Sequence, residues 1–346
     1  MVSTIVLPVL VGLALFLFGM KLMEAALQQW AGPYLQLWLE RFTRTPARGL
    51  VVGTALTALL QSSTAITVIT IGLVNAGILT FPRTLGIILG TNVGTCLTTE
   101  LIGLSIGGLG VPLLLAGAVA WLASWLMGPL QPVSRDTTGS LAVPAPPGYA
   151  AGQAPAAIFP QRWLRSARFG GLAASGFALV LLGIEVMQTI GPALQSRGLF
   201  TWFVQQAQQS LLWGVLAGAA VTALVHSSTA VIAMAMGLAA VQAVSPELGI
   251  AITIGANVGT CVTALVASIG GSRAGTFVAW SHILLNVGGA SLFYPFIGLL
   301  TQISGILTDA PSVQIARAQT IFNILSSLLA LPLCYLNSWK SFEGRS

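Results

Sequence analysis

Two short polar runs stand in an otherwise apolar chain, Gln61-Ser62-Ser63-Thr64 and His226-Ser227-Ser228-Thr229. Their hydroxyl and amide groups can donate or accept hydrogen bonds without carrying charge. A helix broken at such a run presents unpaired N–H groups and the positive end of a half-helix dipole, which suit an anion. The carbonyls and hydroxyls freed at the same break suit Na⁺. All eight residues are therefore candidate substrate ligands, and Ser62, Thr64, Ser227 and Thr229 double as candidate sodium ligands. Asn92 and Thr95, with Asn257 and Thr260, belong to a later Asn-Val-Gly-Thr-Cys motif and are expected near the start of the next helix, where they can complete the ion sites. Helix–helix packing is the other use of buried Ser and Thr. Two Ser-Ser pairs, each followed by the same Asn-Val-Gly-Thr, favour function over packing.

These motifs contain no Lys or Arg. An anion bound there must be neutralised by dipoles and by a cation bound beside it, so the pattern itself points to coupled binding. Enzyme chemistry fits poorly. His226 and Ser227 are adjacent, and neighbours on a helix do not face each other. There is neither a G-x-S-x-G elbow nor an H-E-x-x-H metal motif, and the first run has Gln61 where the second has His226. The expectation is a non-enzyme without cofactor or transition metal, with sodium as its only metal; a channel stays open as a rival. His226 and His282, the two histidines, both fall in apolar segments. Each is either a hydrogen-bonded neutral side chain or a contact for substrate or proton, since ionisable groups at membrane depth are costly. Glu100 is expected near an outer helix end and wet. Glu185 is expected closer to mid-helix, facing the interior.

The elements that position these residues come in two copies. Gly53 to Ala65 matches Gly218 to Ala230, and Gly90 to Cys96 matches Gly255 to Cys261; 226 − 61 and 257 − 92 both give an offset of 165. Spanning helices are expected near 4–20, 84–105, 108–129, 168–190, 247–268, 275–300 and 313–337. An amphipathic stretch at 21–48 precedes a Gly/Ser-interrupted segment at 49–80, and the second copy repeats this at 191–212 and 213–243. The arm from Gly49 to Leu60 reaches roughly 18 Å at the helical rise, against about 30 Å of hydrocarbon. Two such arms meeting at a polar run describe a re-entrant hairpin, because irregular backbone at that depth must be buried in protein or line a watery cavity. A pair of short tilted spanning helices with a polar kink is the alternative.

Composition sets the environment. Of 346 residues, 55% are hydrophobic and 6% charged, with mean hydropathy +0.89; soluble domains carry about 25% charged residues. The fold class expected is an all-α membrane protein with two inverted-topology repeats, each holding a re-entrant helical hairpin, plus a final transmembrane helix. The divisions are 1–130 for the first repeat, 131–166 for a cytoplasmic Pro/Gly/Ala-rich linker, 167–300 for the second repeat, and 301–346 for the last helix and tail. The net charge of +6 is read as cytoplasmic loop residues, not as nucleic-acid binding. Three spans per repeat place Arg197 and Arg317 on one face and the remaining Lys and Arg on the other, which puts the N-terminus outside and the C-terminus inside. Cys96, Cys261 and Cys334 lie in apolar segments and give no disulfide framework.

At these residues the sequence resembles the bacterial sodium/phosphate cotransporter family, relatives of the animal type II transporters. The stretch Gly12 to Glu24 is similar to the family's opening. Gln61-Ser-Ser-Thr64 and His226-Ser-Ser-Thr229 resemble its Gln-Ser-Ser-Ser hallmark, and Asn92-Val-Gly-Thr95 and Asn257-Val-Gly-Thr260 its Asn-Ile-Gly-Thr element. His282 through Asn286, Tyr294-Pro295 and Phe322-Asn323 match further family positions. The resemblance implies sodium-driven phosphate uptake across the bacterial cytoplasmic (inner) membrane, with both tips binding phosphate and sodium and with Asn286 added to the sodium ligands. It also implies the form without the soluble C-terminal tail domain. A homodimer, another small oxyanion as cargo, and a passive anion channel or facilitator are left open. His226 departs from the family's Gln, and Thr64 and Thr229 depart from its third Ser. The first repeat lacks the acidic position that electrogenic relatives carry, reading Leu113 to Ala120 there.

Overall fold

The computed structural model describes residues 2–104, 108–128, 134–135, 141–142, 161–189 and 198–336. Most of the 131–166 linker, Arg197 and the last ten residues lie outside the described residues. Within the linker a two-residue antiparallel pair joins Ser134–Arg135 to Leu141–Ala142. Everything else described is helix and turn. The first half holds α1 (Val2–Phe42), α2 (Pro46–Leu60), α3 (Ser63–Asn75), α4 (Phe81–Leu104) and α5 (Gly110–Leu126). The second holds α6 (Gln161–Gln188), α7 (Gly198–Gln209), α8 (Leu212–Val225), α9 (Ser228–Ala240), α10 (Pro246–Gly259), α11 (Cys261–Ala267) and α12 (Arg273–Phe293). A 3₁₀ turn at Tyr294–Phe296, where Pro295 removes a donor, leads into α13 (Ile297–Leu307); α14 (Pro311–Ala330) follows.

Six helical stretches among the described residues are long and apolar enough to cross a membrane: Leu7–Gly32, Phe81–Leu104, Trp163–Gln188, Pro246–Ala267, Arg273–Leu307 and Pro311–Tyr335. Three expectations need correction. The chain does not end its first span near residue 20 and turn amphipathic; α1 runs unbroken to Phe42. Lys21 and Glu24 do not stop it because they pair with each other at 2.8 Å, one turn apart. The expected helix at 108–129 is only Gly110–Leu126, 17 residues. The span expected at 275–300 continues through the Pro295 turn to Leu307.

The duplicated sequence takes duplicated local structure. Thr45 and, 165 residues on, Ser210 each accept a backbone N–H at the start of the following helix, from Arg48 and from Leu212. The α2–α3 break recurs at the same offset between α8 and α9. Helix α2 runs parallel to α4, with Leu50 against Gly90 and Thr54 against Gly94; α8 packs on α10 in the same register, with Val215 against Gly255 and Ala219 against Gly259. A Cβ at Gly90 would lie 2.2 Å from the Leu50 carbonyl oxygen, and one at Gly255 1.9 Å from that of Val215. The backbones meet because those side chains are absent, a common device where lipid offers no hydrophobic gain for association.

Helix α1 runs antiparallel to its copy α6, Gly12 facing Gly183 and Gly19 facing Gly176. On its other side α6 packs on α5. There buried Arg168 donates to the carbonyls of Ser124 (2.7 Å) and Gly128 (2.9 Å) and lies over the Trp125 ring. A guanidinium thereby satisfies the orphan carbonyls at the α5 C-terminus, where the helix dipole favours positive charge. Buried apolar side chains form two clusters, one around Leu39, Leu60, Ile66 and Ile87, the other joining Phe16, Val180, Ile232, Ile250 and Phe322. The outer surface carries large apolar side chains such as Leu126, Leu224 and Ile306, as a lipid-facing surface requires.

Candidate functional site

Each polar run is a helix break. At the first, Gln61 ends α2 in the left-handed region (φ 56°, ψ 27°), and Ser62, extended, caps α3 by accepting from Ala65 N. At the second, His226 ends α8 at φ 56°, ψ 28°, and Ser227 caps α9 by accepting from Ala230 N. A residue with a Cβ pays roughly 1–2 kcal/mol at positive φ. The same left-handed backbone at both breaks, in Gln and in His, makes these positions candidates for function. Gln242, in the turn after α9, also has positive φ (57°), where the first copy has Gly77 (φ 70°).

The surroundings of the two breaks differ. At the first, Ser62 Oγ donates to Glu24 Oε1 of α1, and Gln61 Oε1 accepts from Thr98 Oγ1 of α4. Glu24 also accepts from Gln28 Nε2 (3.2 Å) and pairs with Lys21. Ser62 is buried, Gln61 and Ser63 half-buried and Thr64 exposed. At the second break Ser228 and Thr229 are buried, Ser227 is half-buried and His226 is exposed; His226 is thus not the buried side chain considered from sequence.

The first Asn-Val-Gly-Thr sits in the middle of α4, not near a helix start; the second closes α10, with Thr260 between the end of α10 and the start of α11. Asn92 Nδ2 donates to Asn286 Oδ1 at 3.0 Å, so two expected positions, one from each copy, meet; Asn286 Nδ2 donates to the His282 carbonyl of its own helix at 3.2 Å. Asn257 turns to its own helix, donating to Thr253 O at 3.3 Å. Thr95 and Thr260 donate to the carbonyls of Asn92 (2.7 Å) and Asn257 (2.6 Å). Among the described residues no hydrogen bond joins Ser63, Thr64, Ser228 or Thr229 to another candidate, nor one tip to the other.

Two helices carry matching side chains against the two motif helices. On α14, Gln319 O faces Cys96 Sγ and Asn323 Nδ2 donates to Gln319 O; on α12, His282 O faces Cys261 Sγ and Asn286 Nδ2 donates to His282 O. Gln319 Oε1 accepts from Thr99 (2.5 Å). The position matching Thr99 in the second copy is Ala264, and both ring nitrogens of buried His282 lack a partner. Glu100 is mostly buried rather than wet. It accepts from Thr320 (2.7 Å) and pairs with Arg317 (3.0 Å), fastening α14 to α4. Glu185 is half-buried near the end of α6, not at its middle, and accepts from Gly108 N at 3.3 Å.

Sequence reasoning missed Glu24, Thr98 and Gln319 as neighbours of the site. Glu24 carried a usable signal: it is the one acid in the apolar stretch Leu7–Gly32. Thr98 and Gln319 carried none, because their contacts join residues far apart in the chain.

Residues 15–136 and 179–326 match the Na+/Pi-cotransporter family profile. The chain is 30% identical over 321 residues to "Uncharacterized protein YqeW" of Bacillus subtilis, covering 93% of this chain and 92% of that one. It is 24% identical over 327 residues to "Putative inorganic phosphate export protein YjbB" of Escherichia coli K12, and 23% identical over 331 residues to the protein of the same name in Salmonella typhimurium. The chain spans about half the length of the YjbB proteins, 53% and 54%. No solved structure matches it. With most of its length under the family profile and a relative matched nearly end to end, the chain belongs to the Na+/Pi-cotransporter family.

Proposed function

We propose that this protein is a secondary active transporter that moves inorganic phosphate together with sodium across the bacterial cytoplasmic membrane by alternating access. The observation that carries the reading is the pair of helix breaks, alike in dihedral angles and capping at an offset of 165 residues. Paired discontinuous helices at a repeat interface are the plan of secondary transporters, with half-helix N-termini for anionic groups and freed carbonyls for cations. We read the two copies as inverted repeats, 1–130 and 167–300. The antiparallel packing of α1 on α6 supports this, as inversion would turn a helix against its copy. We read α2–α3 and α8–α9 as re-entrant hairpins: α2 has 15 residues, α3 13, α8 14 and α9 13, each about 20 Å at the helical rise and short of the bilayer core. The positive-inside pattern supports a cytoplasmic linker and C-terminus with the N-terminus outside.

In this reading phosphate contacts Gln61, Ser62, Ser63 and Thr64 with His226, Ser227, Ser228 and Thr229. Sodium takes oxygens from Ser62, Thr64, Ser227, Thr229, Asn92, Thr95, Asn257, Thr260 and Asn286. The Asn92–Asn286 bond ties the first motif helix to α12, so ion binding at one is felt by the other. The test is radiolabelled phosphate uptake into proteoliposomes under an inward sodium gradient and under potassium. The proposal predicts concentrative uptake with sodium only. Uptake that merely dissipates a phosphate gradient, indifferent to sodium, identifies a channel or facilitator; no phosphate movement by folded protein removes phosphate as the cargo.

A further inference from the structure

The two tips are alike in backbone and unlike in charge. Ser62 Oγ donates to Glu24, so the carboxylate sits at the N-cap of α3. Glu24 is 17% exposed and lies inside the apolar stretch Leu7–Gly32. The position matching it in the second copy is Thr189, whose hydroxyl donates back to the Val186 carbonyl of its own helix at 2.7 Å. Among the described residues no carboxylate bonds the second cap, Ser227, whose recorded side-chain bond is from Ala230 N.

Two consequences follow. An oxyanion at the first tip would meet a fixed negative charge and a cap hydroxyl already given to it, whereas the second tip offers its cap and the exposed His226 without that repulsion. Conversely, the first tip holds oxygens of the kind a hard cation takes: the Glu24 carboxylate with Ser62 Oγ bonded to it, and Gln61 Oε1, which accepts from Thr98. A carboxylate at membrane depth needs a counter-charge. The one paired with it is Lys21, whose side chain is 80% exposed and reaches Glu24 from one turn away. An ammonium held that loosely can leave when a small cation arrives.

Resting on the sodium coupling proposed above but replacing its assignment of phosphate to both tips, we propose that the tips divide the labour: the first binds the coupling cation with Glu24 as its charged ligand and Lys21 as an internal cation it displaces, and the second receives the oxyanion. Glu24→Gln keeps the shape and the acceptor for Ser62 but removes the charge. Lys21→Gln removes the competing ammonium at an exposed position. Sodium half-saturation of phosphate uptake, phosphate KM at saturating sodium, and the sodium-induced rise in melting temperature of purified protein without phosphate are measured for each.

The expected result is a sodium half-saturation raised about tenfold or more in Glu24→Gln, the loss of one charged ligand, with phosphate KM little changed and the sodium-induced melting shift lost. Lys21→Gln moves sodium half-saturation the opposite way. Unchanged sodium half-saturation in both variants, or a change confined to phosphate KM, overturns the assignment while leaving sodium coupling intact. If Glu24→Gln does not fold, Lys21→Gln alone decides, by tighter sodium binding or none. Absence of any sodium effect in the unsubstituted protein is a different result and overturns the transport reading itself.

Discussion

His282 and Gln319 occupy matching places against the two motif helices, yet only Gln319 has a partner for its side chain, because Thr99 of the first copy is Ala264 in the second. A buried polar group left unpaired costs about 1–3 kcal/mol, and replacing it with an apolar group of similar shape removes that cost. His282→Leu is therefore expected to hold or raise the melting temperature of the purified protein; a clear fall would show that the ring has a partner in solution. At this scale the sequence was informative where the motif was local. Gln61, Ser62, His226 and Ser227 announced the breaks because four polar residues interrupt an apolar run. Their left-handed backbone was not legible, since neither Gln nor His signals positive φ. Glu24 lies beyond the span expected at 4–20; its pairing with Lys21 lets the helix continue through it.

Among the elements, the contact of α2 with α4 and that of α8 with α10 rest on backbone meeting backbone. Alanine at Gly90 or Gly255 would set a Cβ about as close to a carbonyl oxygen as a covalent neighbour, at 2.2 and 1.9 Å. The helices would have to part, losing the packing that holds each break. Either substitution is expected to cost more than about 2 kcal/mol by overpacking and to lower the yield of monodisperse protein. Gly72 lies within α3 with nothing near its Cβ position, and Gly72→Ala should be neutral or stabilising by up to about 1 kcal/mol. Equal behaviour of all three in size-exclusion yield and thermal melts would contradict the close packing. Helix positions could be read from apolar runs and Gly/Pro punctuation, but helix neighbours could not. Nothing local says that α14 docks antiparallel on α4 through Arg317, Gln319 and Asn323, or that Asn286 would reach Asn92.

For the whole molecule, the account depends on two copies acting as one site. The repeat was visible because two motifs recur at an offset of 165, and the helix bounds follow it closely: α3 spans Ser63–Asn75 and α9 Ser228–Ala240. What the repeat did not reveal is that the copies have diverged in charge, with Glu24 at one tip and His226 at the other. The most direct test of the central claim is phosphate uptake into proteoliposomes under a fixed inward sodium gradient by Ser62→Ala and by Ser227→Ala, each shown to be folded by its melting curve. Loss of one cap hydroxyl costs about 1 kcal/mol of stability, which leaves folded protein to assay. The account predicts that concentrative uptake is lost in both variants. Uptake at the unsubstituted rate in either one would contradict a site built from both tips.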